Sequence, residues 1–330
     1  MEEPRDALAA PSHTDPYAWY ARLRVRSPLA YDAQLKLWVV AGPYLVEQAL
    51  QHLQLRVRPP AEPVPKALLG RPTGDVFAQL VRMNDGDFHA RHRPAVEAAA
   101  ARFAPAAVAQ ATEAATRDLA PRLEANALLS AIPVQAMARL LGVAGASLDR
   151  TVEWVHEFTR GIGPGVDADT LERSDTAARA LLAQGERDGL QPFAAANRIA
   201  FMQQSLDATA GLIGNAVCAA LRQGEEAPDA GELVAHVARH DPAVHNTRRF
   251  AAADVELGGE RIAAGDALLL LLVNEHPFGG GAHACPGDRI ALQIAVSALR
   301  TLQVLEPLQD KFRAVRGYRP LPNARIPVFS

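Results

Sequence analysis

The sequence has few cysteines, few aromatic residues, little net charge and no long apolar run. Its only two cysteines, Cys218 and Cys285, exclude a disulfide scaffold and favour a reducing compartment, so we expect a cytoplasmic protein. A formal net charge of −3 gives no reason to expect nucleic-acid binding or attachment to a membrane surface. The apolar stretch at residues 267–273 is too short to cross a bilayer.

What the 330 residues do contain is a large apolar fraction, 49%, with charged residues at 22%. This balance is typical of a globular protein with a sizeable core. Alanine is abundant, which favours helix over strand. We find no repeat and no charged or Gly/Ser linker, so the sequence predicts a single domain over residues 1–330, mainly α with a minor β-sheet.

Hydrophobic periodicity and turn residues place the elements along the chain. Helices are predicted at 16–24, 44–53, 89–141 with breaks near Pro105, Pro121 and Pro133, 146–200 with a break at the Gly-Pro-Gly turn 163–165, 198–222, 231–241 and 288–304. Strands are predicted at 37–40 and within 255–273, where Gly258-Gly259 indicates a hairpin. Residues 58–87 are rich in proline and are predicted to be mostly loop.

Residues 278–287, FGGGAHACPG, carry the chemistry. Three consecutive glycines cost backbone entropy, so we expect the main chain to pass close to another group there. Cys285 follows, just before an apolar helix that begins at about Asp288, and a helix N-terminus stabilises a thiolate. A thiolate is one of the few protein ligands that hold haem iron.

Other interpretations of this loop are open on the residues alone. A phosphate-binding loop would need Gly-x-Gly-x-x-Gly or a following Gly-Lys-Ser/Thr, and neither is present. A zinc site could use His276, His283 and Cys285, although no second Cys/His pair stands at the usual spacing. Cys285 could also be an inert cysteine beside a flexible loop.

The segment resembles, position by position, the Phe-x-x-Gly-x-His-x-Cys-x-Gly signature of cytochrome P450 enzymes. The resemblance implies a cytochrome P450-like fold and haem b (iron protoporphyrin IX), with Cys285 as the iron ligand. It also implies that Phe278, His283 and Gly287 belong to the haem site. Residues 87–93 resemble the start of the family's C helix, and residues 247–251 resemble a propionate-binding strand. By that resemblance, the haem propionates would be bound by His89, Arg93 and Arg249, joined by His283.

Residues 205–215 resemble the distal helix of the family, with two departures. Asp207 occupies the acid position, but Ala208 stands where the family has a threonine, and Ser205 replaces the glycine of the kink. Thr209 lies one residue further along, which turns its side chain by about 100° around a helix. Asp207 and Thr209 are therefore the candidate catalytic residues, with proton delivery altered from the family pattern.

The Glu-x-x-Arg motif of the family falls on His236 and Arg239, so the resemblance implies a buried Arg–His contact in place of an ion pair. Several connections are shorter than in the family, among them the one between Val273 and Phe278. We therefore expect trimmed loops. A thinner lid would leave the distal pocket more open, or would give part of its wall to a second subunit in a homodimer.

The resemblance implies a monooxygenase that oxidises a small organic molecule with dioxygen and with electrons from a separate ferredoxin or flavodoxin. Because Ala208 replaces the distal threonine, an alternative is a peroxide-driven or non-oxygenase catalyst, such as an isomerase, a dehydratase or an enzyme that forms N–N or N–O bonds. A third hypothesis is a non-catalytic haem sensor or scaffold.

Overall fold

The computed structural model describes residues 3–224, 228–273 and 275–330. The helices are α1 Tyr17–Arg26, α2 Pro43–Gln51, α3 Pro72–Ala78, α4 Gly86–Ala101, α5 Pro105–Leu119, α6 Ala125–Leu140, α7 Leu148–Gly161, α8 Ala168–Arg187, α9 Pro192–Gln223, α10 Ala230–His240, α11 Asp288–Leu305 and α12 Leu308–Lys311. The strands are β1 Leu29–Asp32, β2 Leu37–Val40, β3 Leu55–Arg56, β4 Asn246–Ala251, β5 Val255–Leu257, β6 Glu260–Ile262, β7 Ala267–Leu271, β8 Val315–Tyr318 and β9 Pro327–Phe329. The fold is mainly α with small sheets, as predicted. Among these helices, none combines the length and hydropathy that a membrane span requires.

Contacts between residues divide the chain into two compact units. The first comprises Met1–Ala61, Gly211–Asp288 and Glu306–Ser330, and the second comprises Glu62–Ala210 and Arg289–Leu305. Each unit is therefore assembled from separate stretches of chain. The expectation of a single domain over residues 1–330 stays a prediction.

The first unit is built on a five-stranded sheet of order β1-β2-β7-β4-β3. Strand β2 runs parallel to β7, while β4 runs antiparallel to it. Alternate residues of β7 enter two different cores, because successive side chains of a strand point to opposite faces. Leu268 and Leu270 pack with Val46 and Leu50 of α2, whereas Leu269 packs with residues of α1. This packing holds α2 against the sheet.

The predicted hairpin within residues 255–273 is confirmed. Strands β5 and β6 pair antiparallel, with Val255 opposite Ile262. Gly258 and Gly259 connect them with φ of 59° and 83°, a backbone conformation that glycine adopts most readily. A second turn at Gly265, φ 92°, leads into β7.

Buried Arg325 ties distant parts of the first unit together. Its side chain is 2% exposed, and its Nε donates to Asp241 Oδ1 at 2.9 Å. The two Nη groups donate to three main-chain carbonyls, those of Pro11 at 3.2 Å, His13 at 2.6 Å and Thr14 at 2.9 Å. The guanidinium of Arg325 thus donates hydrogen bonds to several carbonyl groups of residues 11–14, which are far from it in the sequence.

The second unit contains α3, which the prediction of a loop over residues 58–87 missed. The helix begins with Pro72, a residue that fits the first helical position because its missing N–H would be unpaired there anyway. Thr73 fixes α3 to α8 through its Oγ1, 2.9 Å from Ser174 Oγ, and its N–H donates to Asp175 Oδ1 at 3.2 Å. Arg71 forms an ion pair with Asp175 at 2.8 Å.

Two further boundaries differ from the prediction. Helix α6 continues through Pro133, although the proline removes the hydrogen bond to the carbonyl of Leu129. Its neighbours Ile132 and Val134 are both 0% exposed, so packing keeps the helix continuous where the local signal favoured a break. Helix α9 begins at Pro192, earlier than the predicted start at 198, again with a proline in its first position.

The expected burial of His236 and Arg239 in α10 is wrong. Both side chains are exposed, and the ring of His236 lies 4.5 Å from that of His240, one turn further along. The buried face of α10 is formed instead by apolar residues, among them Leu233 and Val237. A histidine is tolerated at position 236 because no buried ion pair is made there.

His245 is a buried histidine held by a tyrosine. It is 0% exposed, and its Nδ1 lies 2.9 Å from the hydroxyl of Tyr20 in α1. Burial and, to a lesser extent, the positive charge of Arg325 together lower the pKa of His245 to about 3. The ring is therefore neutral in the folded protein at any pH at which the fold is expected to persist.

Replacing His245 should reduce the sensitivity of the protein to acid. In the unfolded chain a histidine gains a proton below about pH 6.5, whereas folded His245 resists protonation until about pH 3, so stability is lost as pH falls through this window. His245→Asn keeps a polar atom near Nδ1 but does not titrate. Between about pH 7.5 and about pH 5, we expect the wild type to lose on the order of 1–2 kcal/mol more of its free energy of unfolding than His245→Asn loses. Denaturant unfolding at both pH values measures this, and equal losses in the two proteins would contradict it.

Candidate functional site

The loop 278–287 is closed by main-chain hydrogen bonds. The N–H of Cys285 donates to the carbonyl of Phe278 at 2.9 Å, and the N–H of Ala284 donates to the carbonyl of Gly281 at 3.1 Å. A short 3₁₀ helix, Gly281–His283, lies between the two ends of this loop. Phe278 thus contributes its carbonyl group to the position of the cysteine, in addition to any role of its ring.

The glycines of this loop lie against α2, which explains two of them. Gly281 has a φ of 62°, and a Cβ added there would lie 2.2 Å from the carbonyl oxygen of Leu50. A Cβ on Gly280 would lie 3.2 Å from Leu50 Cδ1. Gly279 has a φ of 70° and more open surroundings. The close approach predicted from the three glycines is therefore an approach to the end of α2.

The two cysteines have different environments. Cys218 is buried in α9, 4% exposed, whereas Cys285 is exposed and lies three residues before the first residue of α11. Neither cysteine forms a disulfide. Across the residues that the structure describes, no three His, Cys, Asp or Glu side chains are grouped as metal ligands. The zinc interpretation, with His276 and His283, therefore finds no support, since structural zinc takes four protein ligands.

Arg249 is buried in β4, in the same unit as the loop. It is 4% exposed and lies opposite Leu268 in the pairing of β4 with β7. Its Nη1 donates to the carbonyl of Arg248 at 2.8 Å and to Thr247 Oγ1 at 3.2 Å. A buried guanidinium offers several N–H donors, which suits an anionic group such as a carboxylate.

In the second unit, α4 brings His89 and Arg93 together, because residues four apart share one face of a helix. His89 is 7% exposed and the side chain of Arg93 is 13% exposed. Arg93 Nε donates to Glu97 Oε1 at 2.7 Å. Glu97 is not among the predicted site residues, although its i,i+4 spacing from Arg93 could have indicated the pair.

Helix α9 is continuous through the segment that resembles the kinked distal helix. Ser205 Oγ donates to the carbonyl of Met202 at 2.8 Å and to that of Pro133 at 3.3 Å. Asp207 is half-buried and Thr209 is 2% exposed. Two residues apart, their side chains point about 200° apart around the helix, so α9 does not bring them together.

Arg82 is a residue of this unit that the sequence analysis did not single out. It lies in a 3₁₀ helix, Val81–Met83, directly before α4, and its Nη2 donates to Gln203 Oε1 at 3.0 Å. Gln203 precedes Asp207 by one turn of α9, so the two share a helix face. No local pattern marks Arg82, since its partner lies 121 residues away.

Solved structures of cytochromes P450 share this fold. Epothilone B-bound cytochrome P450epoK has a TM-score of 0.79 and 21% identity, over 98% of both chains. P450 RauA, complexed with a biosynthetic intermediate of aurachin RE, has a TM-score of 0.76 and 21% identity, over 99% of this chain and 97% of that one. P450BioI, in complex with hexadec-9Z-enoic acid ligated acyl carrier protein, has a TM-score of 0.76 and 20% identity, over 95% of this chain and 96% of that one.

The resemblance to cytochrome P450 is thus confirmed at the level of the fold, which extends over nearly the whole chain. No family model and no curated protein matches the sequence.

A series of three glycine substitutions should separate the two constraints on the loop. Gly279→Ala meets only the cost of a left-handed backbone, about 1–2 kcal/mol, while Gly281→Ala adds the overlap with the carbonyl of Leu50. Gly287→Ala meets neither, because no atom lies within 4 Å of its Cβ. We expect the midpoint of thermal unfolding to fall most for Gly281→Ala, less for Gly279→Ala and not at all for Gly287→Ala in haem-free protein. A loss for Gly287→Ala equal to that for Gly281→Ala would contradict this account.

Proposed function

We propose that this chain is a haem-thiolate oxidoreductase, and specifically a monooxygenase that acts on a small organic molecule. The observation that carries the proposal is the exposed Cys285, presented before α11 by a loop of fixed shape in a protein with the cytochrome P450 fold. A thiolate ligand is the haem ligand that favours cleavage of the O–O bond.

The residues around this loop fit a haem. Gly287 has neither a left-handed backbone nor a neighbouring atom within 4 Å of an added Cβ, so nothing in the protein itself requires a glycine there. A flat ligand beside Cys285 would require one. Each unit, taken by itself, also offers N–H donors of the kind that bind a carboxylate: buried Arg249 in the first, and His89 with Arg93 in the second.

In the monooxygenase reaction one oxygen atom of dioxygen enters the substrate and the other leaves as water, with two electrons and two protons supplied. The chain has two cysteines, too few for the Cys₄ ligand set of an iron–sulfur cluster. We therefore propose a separate ferredoxin or flavodoxin as the electron donor, in the cytoplasm. We propose Asp207 as the residue that passes protons, because it is the half-buried acid of α9.

The optical spectrum of the reduced protein with carbon monoxide tests the iron ligand. Thiolate ligation produces a strongly red-shifted Soret band, which we expect from the wild type and not from Cys285→Ser. Cys218→Ser is the matched control, since Cys218 is buried in α9 and should leave the band in place. If Cys285→Ser keeps the red-shifted band, or if the wild type expressed with ample haem is colourless, the proposal is wrong.

Position 208 favours a second candidate, a haem-thiolate catalyst that uses peroxide or does not oxygenate at all. Ala208 has no hydroxyl, and the hydroxyl of Ser205 bonds to carbonyls of α9 and α6. Dioxygen activation needs two protons delivered at the iron. Hydrogen peroxide already carries the protons and the reducing equivalents, so it needs less of this machinery.

The oxidant distinguishes the two candidates. We expect the monooxygenase to form product with a ferredoxin, its reductase and NAD(P)H, and the peroxide-driven catalyst to form product with hydrogen peroxide alone. Ala208→Thr is the informative variant, because it restores a hydroxyl at the vacant position. Under the second candidate it should raise the reductase-driven rate and leave the peroxide-driven rate nearly unchanged. If the wild type and Ala208→Thr couple NAD(P)H oxidation to product formation equally well, the peroxide-driven candidate is excluded.

A further inference from the structure

The guanidinium of Arg82 is partly buried beside α9 and has unmet hydrogen-bonding capacity. Its Nη2 donates to Gln203 Oε1 at 3.0 Å, whereas its Nε is shielded from solvent without a hydrogen-bond partner. No acidic side chain in the described part of the chain pairs with it. Burial lowers the pKa of Arg82 to about 10, so the group still carries its charge at neutral pH.

An arginine in this state costs stability. Burying an ionised group is unfavourable unless it is paired, and an unused buried donor adds a further penalty. Other arginines of the same unit show the usual arrangement, since Arg71 pairs with Asp175 and Arg198 pairs with Asp188. A cation kept without an acidic partner is the arrangement expected of a group that binds an external anion.

Gln203 adds a second donor to the same place. Arginine has no acceptor, so the amide must present its oxygen to Arg82, which leaves the NH₂ group of Gln203 as a donor. The pair therefore offers mainly N–H groups, with the one acceptor, the amide oxygen, already turned towards Arg82. A carboxylate accepts at both oxygens and donates nothing, and is the matching ligand.

The location connects this pair with the proposed reaction. Gln203 lies one turn before Asp207 on the same face of α9, about 5.4 Å along the helix axis. Asp207 is the acid that the proposed function places at the reaction centre. An anion held by Arg82 would therefore lie close to Asp207.

We propose that Arg82 and Gln203 bind the carboxylate of the substrate, so that the chain acts on carboxylic acids. This inference rests on the proposed function for the reaction, but the binding that it predicts can be measured without any turnover. It assigns a substrate class to the site and identifies Arg82 as the residue that determines specificity.

Isothermal titration calorimetry of the purified protein with decanoate and with decanamide tests the proposal. The two probes have the same chain length and differ in charge. We expect the wild type to prefer decanoate, and Arg82→Met to lose at least about tenfold in decanoate affinity while its affinity for decanamide is unchanged. Arg82→Lys should keep part of the preference. Arg150→Met, an exposed arginine of α7 with a side chain 67% exposed, is the matched control and should change neither affinity.

Thermal unfolding supplies a readout that a structural arginine would not give. If Arg82 awaits an anion, Arg82→Met should raise the unfolding midpoint, because it removes an uncompensated buried charge. Gln203→Glu should also raise it, by giving Arg82 an internal partner, and should abolish the preference for decanoate. Decanoate should stabilise the wild type and not Gln203→Glu.

Two results would overturn the proposal. One is equal binding of decanoate and decanamide by the wild type. The other is a lowered unfolding midpoint in Arg82→Met with parallel loss of both ligands, which would show that the arginine is structural. Failure of the proposed function can be distinguished from failure of this inference. A protein without the red-shifted band could still bind decanoate through Arg82. Conversely, a protein with thiolate-ligated haem could bind decanoate and decanamide equally.

Discussion

One main-chain hydrogen bond, from the N–H of Cys285 to the carbonyl of Phe278, sets the shape of the candidate site. Within the loop that it closes, Gly281 passes so close to the carbonyl of Leu50 that no side chain fits. Leu50 in turn packs into a core with residues of β7, the middle strand of the sheet. The position of the cysteine is thus determined by the backbone and by packing.

The sequence predicted those elements whose signals are local. Strand β2 has the predicted bounds, and the hairpin follows from Gly258-Gly259, because a left-handed turn favours glycine wherever it occurs. Proline gave a misleading signal, because different prolines of this chain end one helix, begin another and lie inside a third. Pro133 belongs to the last kind, and only the buried packing of α6 decides its effect. Such packing cannot be predicted from neighbouring residues.

The site shows the same division. The residues of the loop 278–287 indicated a special site but left its chemistry open until the family resemblance was considered, and the i,i+4 spacing of Arg93 and Glu97 would have indicated that pair. Arg82 could not be predicted in this way, because its proposed role depends on the lack of an acidic partner among the described residues. An unpaired buried charge becomes visible only when distant segments are placed together, as α9 is beside the turn that holds Arg82.

The tie made by Arg325 has a consequence for how the protein is made. Residues 11–14 leave the ribosome first, yet the guanidinium that saturates their carbonyls is attached more than 310 positions later. The contact between these two segments can therefore form only after residue 325 has been synthesised, whereas all but one helix of the second unit comes from one contiguous stretch and is free to form earlier. Loss of Arg325 would release residues 11–14, so two segments that are far apart in the sequence depend on each other for their order.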